Sequence, residues 1–213
     1  MIEIIPAILP KSFAELEETL GRLKGVAPLV QIDLVGSTIL AGEEALPLWE
    51  EFDFEFDLMV EDSRAAVESL VALGASRVVV HAGRPQAHEA LQALQEFRDG
   101  DFPVALGLAL QAHDEPQVLE GFTGLYDYVQ VMGIDHEGSQ GQPPDPHHKD
   151  IGLVRALRAA RPELIIQVDG AVGGRVQEFA AAGANRLVVG SAIVRAEDPR
   201  AEYKRLYNLV NGS

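Results

Sequence analysis

The chain has 213 residues, of which 47% are hydrophobic and 23% charged, so it can bury one sizeable core and lacks the composition of a disordered segment. It contains no cysteine, which excludes disulfide bonds and thiolate chemistry and fits a reducing, cytoplasmic location. A formal net charge of −16 argues against binding to nucleic acid or anionic lipid, no apolar run is long enough to span a bilayer, and the start MIEIIPAILP lacks the basic region of a signal peptide.

Short apolar runs rich in Val, Ile and Leu alternate with segments of helical periodicity along the chain. The predicted strands are, in order, IEIIPAIL, PLVQIDLV, FDFEFDLMV, SRVVVHA, PVALGLAL, YDYVQVM, LIIQVDG and NRLVVG. The predicted helices are FAELEETLGRL, SRAAVESLVALG, AHEALQALQEF, IGLVRALRAA and GRVQEFAAAG. Gly74 and Gly183 stand where left-handed helix caps are expected. Continuous rather than alternating apolar strands indicate a parallel sheet that is covered on both faces.

Eight strands, each followed by a helix or by a segment long enough for one, favour a single (β/α)8 TIM barrel domain over residues 1–213. A doubly wound open sheet is the alternative, but no G-x-G-x-x-G follows the first strand and no Walker sequence is present. The longest irregular stretch is GIDHEGSQGQPPDPHH, residues 133–148. Loops of this length inside a compact domain are usually functional, and one of its histidines, His136, His147 or His148, could close over a substrate.

Polar and small residues gather at the carboxyl ends of the predicted strands, where the chemistry of such a barrel lies. These residues are Gln31, Asp33, Asp57, His81, Met132, Asp169, Gly170, Gly190 and Ser191. Because side chains alternate along a strand, Gln31 and Asp33 share one face, and an inward face would bring three carboxylates together near the barrel axis. Such a cluster either holds a cation or keeps at least one proton near neutral pH. Helix capping is the alternative role for Asp33 and Asp169.

The same segments resemble the ribulose-phosphate 3-epimerase family, in order along almost the whole chain. The similar segments are IPAILPKSFAELEE, QIDLVG, FDLMVED, ASRVVVHAG, LIIQVDGAV and LVVGSAIVRAEDP. The resemblance implies a cytoplasmic isomerase of carbohydrate metabolism, in the pentose phosphate pathway. Its reaction would be the epimerisation of a pentulose or hexulose phosphate at C3 through an enediolate. It also implies a small-molecule sugar phosphate as partner, and barrels of this family often associate, so a homo-oligomer is possible.

The resemblance implies that Asp33 and Asp169 act as acid and base on opposite sides of one sugar carbon and also bind a divalent metal. Gln31 and Asp57 stand where the family has two metal-binding histidines. A set made of Gln31, Asp33, Asp57 and Asp169 would offer only oxygen ligands, which suits Mg²⁺ or Mn²⁺ better than Zn²⁺. The alternative is that no metal binds and that Gln31 holds Asp33 through a hydrogen bond.

The family binds the substrate's phosphate through main-chain amides after strands six, seven and eight. The corresponding positions here are Gly141, Gly170, Gly190 and Ser191. Ala171 stands in place of the family's second glycine after strand seven. Further positions that line the family's pocket, each of which could also be plain core, are Met59, His81 and Met132.

Two other functions stay open. A decarboxylase or aldolase could use the same scaffold, but the related decarboxylases need an Asp-x-Lys-x-x-Asp pattern, and Asp33-Leu34-Val35 contains no lysine. A barrel that binds a phosphosugar without turning it over is the second possibility, because the family's metal-site histidines are replaced.

Overall fold

The computed structural model describes residues 1–36, 40, 45–98, 103–134, 138, 140–144 and 146–212. Its strands are β1 Glu3–Ile8, β2 Leu29–Val35, β3 Asp53–Met59, β4 Ala75–His81, β5 Ala105–Gln111, β6 Tyr128–Met132, β7 Ile165–Asp169 and β8 Arg186–Val189. Each strand pairs in parallel with the next, and β8 pairs with β1, so the sheet closes on itself. The predicted (β/α)8 barrel is confirmed, and the open sheet is excluded.

The helices are α1 Phe13–Leu23, α2 Ser63–Ala72, α3 Ala87–Arg98, α4 Lys149–Ala160, α5 Val176–Ala182, α6 Ser191–Val194 and α7 Pro199–Asn211, with a 3₁₀ helix at Pro116–Phe122. All five predicted helices are present. Gly74 has φ of 90° and Gly183 has φ of 108°, so both left-handed caps are also confirmed. The residues described between β2 and β3 form turns, bends and irregular segments rather than a helix.

The hydrophobic core lies mainly between the strands and the surrounding helices, where outward side chains such as Ile4, Ile32 and Val80 are buried. Helix α1 shows how the sequence builds this layer. Its Ser12 side chain caps the first turn by accepting from the Glu15 amide, and its apolar face is buried on Leu16, Leu20 and Leu23. None of the helices in the described part of the chain has the length and apolar character needed to cross a membrane.

The inside of the barrel differs from this outer layer because many of its side chains are polar. Five of them are fully buried: Gln31, Glu55, Asp57, Gln130 and Gln167. Tyr128 fills the interior below them by lying against Gly107, where an added Cβ would come within 2.7 Å of the tyrosine ring. A buried polar interior is stable only if its groups are hydrogen bonded to one another.

Candidate active site

A cavity of about 330 Å³ opens at the carboxyl ends of the strands. Eight residues predicted for the site line it: Asp33, Met59, Met132, Gly141, Asp169, Gly170, Gly190 and Ser191. Strands β2, β3, β6 and β7 contribute the side chains of one end. The main chain after β6, β7 and β8 forms the other end, so the cavity has a carboxylate end and an amide end.

Three other predicted residues, Gln31, Asp57 and His81, are buried beneath the cavity and do not line it. The ring of His81 is 2% exposed, and its Nε2 lies 2.7 Å from Asp57 Oδ1. His81 therefore contacts a carboxylate instead of reaching the cavity.

Three carboxylates converge at the carboxyl end of the barrel, where Asp33 and Asp169 line the cavity and Asp57 lies beside them. Asp33 and Asp57 are neighbours in register on β2 and β3, and Asp169 ends β7. One oxygen of each lies within 4.8 Å of the others. Asp169 does not cap the following helix, because the N-cap of α5 is Arg175, and Asp33 lies within strand β2.

Burial and mutual repulsion favour the protonated forms of Asp33 and Asp169. Burial raises the pKa of Asp33 well above its ordinary value, and the charges of Asp169 and Asp57 raise it further. Burial, followed by the charge of Asp57, raises the pKa of Asp169 to about 7. The two aspartates, called the acid pair below, therefore titrate together and share a proton near neutral pH.

The side chain of Gln31 joins the two members of the acid pair. Its Nε2 donates to Asp33 Oδ1 at 2.8 Å and to Asp169 Oδ2 at 3.2 Å. The predicted hydrogen bond to Asp33 is thus present, and the second bond, to β7 across the barrel, could not be read from β2 alone. Both bonds favour the ionised carboxylates and so oppose the rise in their pKa values.

Two further glutamines, which the sequence analysis missed, extend this contact into an amide chain of Gln31, Gln167 and Gln130. Gln167 Nε2 lies 3.3 Å from Gln31 Oε1, 2.6 Å from Glu55 Oε1 and 2.7 Å from Gln130 Oε1. Gln130 Nε2 donates to Asp57 Oδ2 at 2.7 Å. A signal for them existed, because Gln167 precedes Asp169 by the same two positions that separate Gln31 from Asp33.

The hydrogen bonding does not fit the divalent metal that the resemblance implies. A cation needs oxygen lone pairs directed at it, but Gln31 directs its N–H donors at the acid pair. Asp57 has no oxygen without a partner, because Oδ1 faces His81 Nε2 and Oδ2 accepts from Gln130. Metal binding by Gln31, Asp33, Asp57 and Asp169 stays a prediction, and this arrangement disfavours it.

The amide end of the cavity is closely packed around its glycines. At Gly190, which precedes helix α6, an added Cβ would lie 2.8 Å from Gln140 Nε2, and this Nε2 donates to Ala7 O at 3.2 Å. Gly170 has φ of 98° and Ala171 has φ of 52°. Ala171 therefore keeps the left-handed conformation that a glycine adopts easily, although it carries a side chain.

Arg175, which also lines the cavity, joins the loops after β6 and β7. It forms two bonds to Asp150, from Nη1 to Oδ2 at 2.7 Å and from Nη2 to Oδ1 at 3.1 Å, and its Nη2 lies 3.0 Å from His148 Nδ1. Neither His147 nor His148 lines the cavity, and His136 lies outside the described residues. No short motif marks Arg175, because its partners are about 25 residues away in sequence.

Comparison with known proteins gives the family of the chain. A model of the ribulose-phosphate 3 epimerase family matches residues 3–194. The chain belongs to this family. Ribulose-phosphate 3-epimerase of Schizosaccharomyces pombe is 28% identical over 220 residues, covering 98% of this chain and 93% of the relative. The Aquifex aeolicus ribulose-phosphate 3-epimerase is 27% identical, covering 91% of this chain and 90% of the relative.

Solved structures show that this member of the epimerase family shares its fold with other enzymes. A 3-hexulose-6-phosphate synthase from Salmonella typhimurium matches with a TM-score of 0.73 at 17% identity, covering 98% of both chains. The structure of KGPDC from Streptococcus mutans matches with a TM-score of 0.70 at 12% identity, covering 99% of this chain and 97% of that one. At these identities the likeness concerns the barrel alone.

Proposed function

We propose that the protein is a ketose-phosphate 3-epimerase, an isomerase that inverts C3 of a pentulose or hexulose phosphate. The observation that carries this proposal is the acid pair. Two carboxylates from opposite sides of the barrel reach the floor of one cavity and are held by one amide donor. Membership of the epimerase family and the names of its curated relatives support the same reaction.

The chemistry follows from the shared proton. The ionised member of the pair removes the proton from C3, and the electrons of the C3–H bond form the C2–C3 double bond of an enediolate. The protonated member then gives its proton to the opposite face of C3, which restores the C2 carbonyl and leaves the configuration inverted. A pKa of about 7 for Asp169 suits this exchange, because a proton-transfer group works best when its pKa lies near the ambient pH.

The phosphate of the substrate would lie at the amide end of the cavity, beside Gly141, Gly170, Gly190 and Ser191. A local amide site is needed because the chain's net charge of −16 repels an anion at long range. Met59 and Met132, only 6% and 1% exposed, form apolar walls between the two ends. These walls keep water away from the enediolate and help to raise the pKa values of the acid pair.

Replacing either member of the pair tests the proposal. Asp33→Asn and Asp169→Asn should each lower kcat for the ketose phosphate that the parent epimerises. The expected loss is about 10²- to 10⁴-fold, the usual contribution of one acid–base group. A coupled epimerase assay over pentulose and hexulose phosphates measures this. Asp53→Asn is the control, because Asp53 is exposed at the opposite end of β3. The proposal fails if no ketose phosphate is epimerised, or if both variants turn over like the control.

A second candidate is a barrel that binds a sugar phosphate without turnover, which the replacement of the family's metal-site histidines by Gln31 and Asp57 favours. It predicts saturable binding of ketose phosphates with no proton exchange at C3. Isothermal titration of the parent, read beside the epimerase assay, separates the two candidates.

A further inference from the structure

We propose that Gln31 occupies the place of a metal ion in this site, so that its N–H₂ group bridges Asp33 and Asp169 and the protein needs no divalent cation. The catalytic part of this inference rests on the proposed function, whereas the part about metal binding does not. Gln31 is a positioning residue, because it is fully buried and does not line the cavity.

The orientation of the Gln31 amide is fixed from the far end of the amide chain. Asp57 Oδ2 needs a donor, so Gln130 turns its Nε2 toward it. The Oε1 of Gln130 then faces Gln167 and requires the Nε2 of that residue. Gln31 presents its Oε1 to this Nε2 at 3.3 Å, a longer contact than the 2.6 and 2.7 Å bonds to Glu55 and Gln130 that use the two hydrogens of the Gln167 N–H₂ group. The Nε2 of Gln31 is left to face the acid pair.

Contacts of Glu55 favour the same orientation of the amide groups. Its Oε2 accepts from the Tyr128 hydroxyl at 2.7 Å, and its Oε1 accepts from Gln167 Nε2 at 2.6 Å. Asp57 and Glu55, the two carboxylates that contact the amide chain, therefore each require an N–H donor from it. Turning Gln31 over would set its N–H₂ against that of Gln167 and would remove the donor that Asp33 and Asp169 share. The cost is that of unpaired buried polar groups.

The same contacts hold Asp57 away from a metal-binding orientation. Each of its oxygens has a hydrogen-bond contact, so turning it toward a cation would break the contact with His81 or with Gln130. Its remaining effect on the site is electrostatic. A bound cation would be contacted by oxygens of both members of the acid pair, whereas here those oxygens accept from the single N–H₂ group of Gln31.

Metal binding can be measured without any activity assay. The parent is stripped with EDTA, dialysed, analysed for metals by mass spectrometry, and titrated with Mn²⁺, Mg²⁺ and Zn²⁺ by calorimetry. We expect no stoichiometric metal, no saturable binding, and equal turnover with and without EDTA. One Mn²⁺, Mg²⁺ or Zn²⁺ per chain that Asp33→Asn abolishes would overturn the inference, whatever the activity. Turnover that EDTA abolishes and a metal restores would also overturn it.

Two substitutions test the amide itself. Gln31→Leu should lower kcat by about 10- to 100-fold, as expected for loss of a supporting contact, with KM nearly unchanged. It should also move the acidic limb of the pH–rate profile to higher pH, because the lost donor favoured ionisation. Gln31→Glu keeps the shape and replaces the N–H₂ donor by oxygen, so this variant should gain Mn²⁺ binding and require it for turnover.

Gln177→Leu, on the exposed face of α5, is the matched control and should change neither kcat nor the profile. If Gln31→Leu does not fold, Gln31→Glu still decides the question through its metal titration. An unchanged pH–rate profile in Gln31→Leu, or no gain of metal binding in Gln31→Glu, would contradict the role of the amide. Absence of turnover both with and without added metal defeats the proposed function, while the calorimetric result still tests whether the amide has replaced the metal.

Discussion

Asp33 and Asp169 lie where the folded chain makes ionisation costly. The folded state keeps a proton on Asp169 up to about pH 7, whereas the unfolded chain loses it near the ordinary value of 3.8. Folding therefore takes up a proton between these two pH values. The stability that this uptake provides is fully present below the lower value and is lost as the pH rises through the folded pKa.

A stability measurement tests whether the contribution of Asp169 falls as the pH rises. Asp169→Asn resembles the protonated residue and has no proton to lose, so it should be more stable than the parent at pH 8. The gain should shrink as the pH falls toward 5. Urea unfolding of both proteins at several pH values measures the difference in the free energy of unfolding, and the surface charges common to both proteins cancel. A difference that does not change with pH would contradict the raised pKa.

Single residues were predictable to different degrees. Asp33 and Asp169 could be predicted because a carboxylate that ends a buried strand is unusual and the family resemblance gives it a role. Gln130 and Gln167 were missed, because a glutamine in an apolar strand carries no motif and gains meaning only from its partners across the barrel. Alternation along β6 and β7 would have placed them on the inner face.

At the scale of elements, apolar runs and helical periodicity predicted all eight strands and five of the helices. The 3₁₀ helix at Pro116–Phe122 was not predicted, because a segment of seven residues that begins at proline has too little periodicity to read. The connections were the least predictable part. Arg175 joins the loops after β6 and β7 through Asp150, a contact set by the closed barrel and by no local pattern.

Loss of this contact should affect both stability and substrate binding. Arg175→Met leaves Asp150 buried without its partner, and breaking such a pair usually costs about 3–5 kcal/mol. KM for the ketose phosphate should rise, because both joined loops contribute to the amide end of the cavity. Urea unfolding and steady-state kinetics measure the two effects.

Arg205→Met is the control for this change. It removes a largely exposed ion pair with Glu202 on α7, which should cost no more than about 1 kcal/mol. Equal losses of stability in the two variants would show that the Arg175–Asp150 pair does not hold the loops.

At the scale of the whole molecule, the overall charge and the hydrogen bonding of the barrel interior follow different patterns. The whole chain is strongly acidic, with 33 Asp and Glu against 17 Lys and Arg, while the barrel interior uses neutral amides to connect buried carboxylates. The sequence predicted the closed barrel because its strand–helix alternation runs in one order from end to end. It could not predict how the interior hydrogen bonds are directed, because that direction emerges only when β2, β3, β6 and β7 meet around one axis.

The most direct test of a metal-free acid pair is proton exchange at C3. The EDTA-treated parent is incubated with its ketose phosphate in ²H₂O, and both epimers are followed by nuclear magnetic resonance. The account predicts that deuterium from the solvent replaces the C3 proton as the product forms, and that Asp33→Asn and Asp169→Asn each slow this exchange. A product that keeps the original C3 proton, or exchange that appears only when a divalent metal is added, would contradict it.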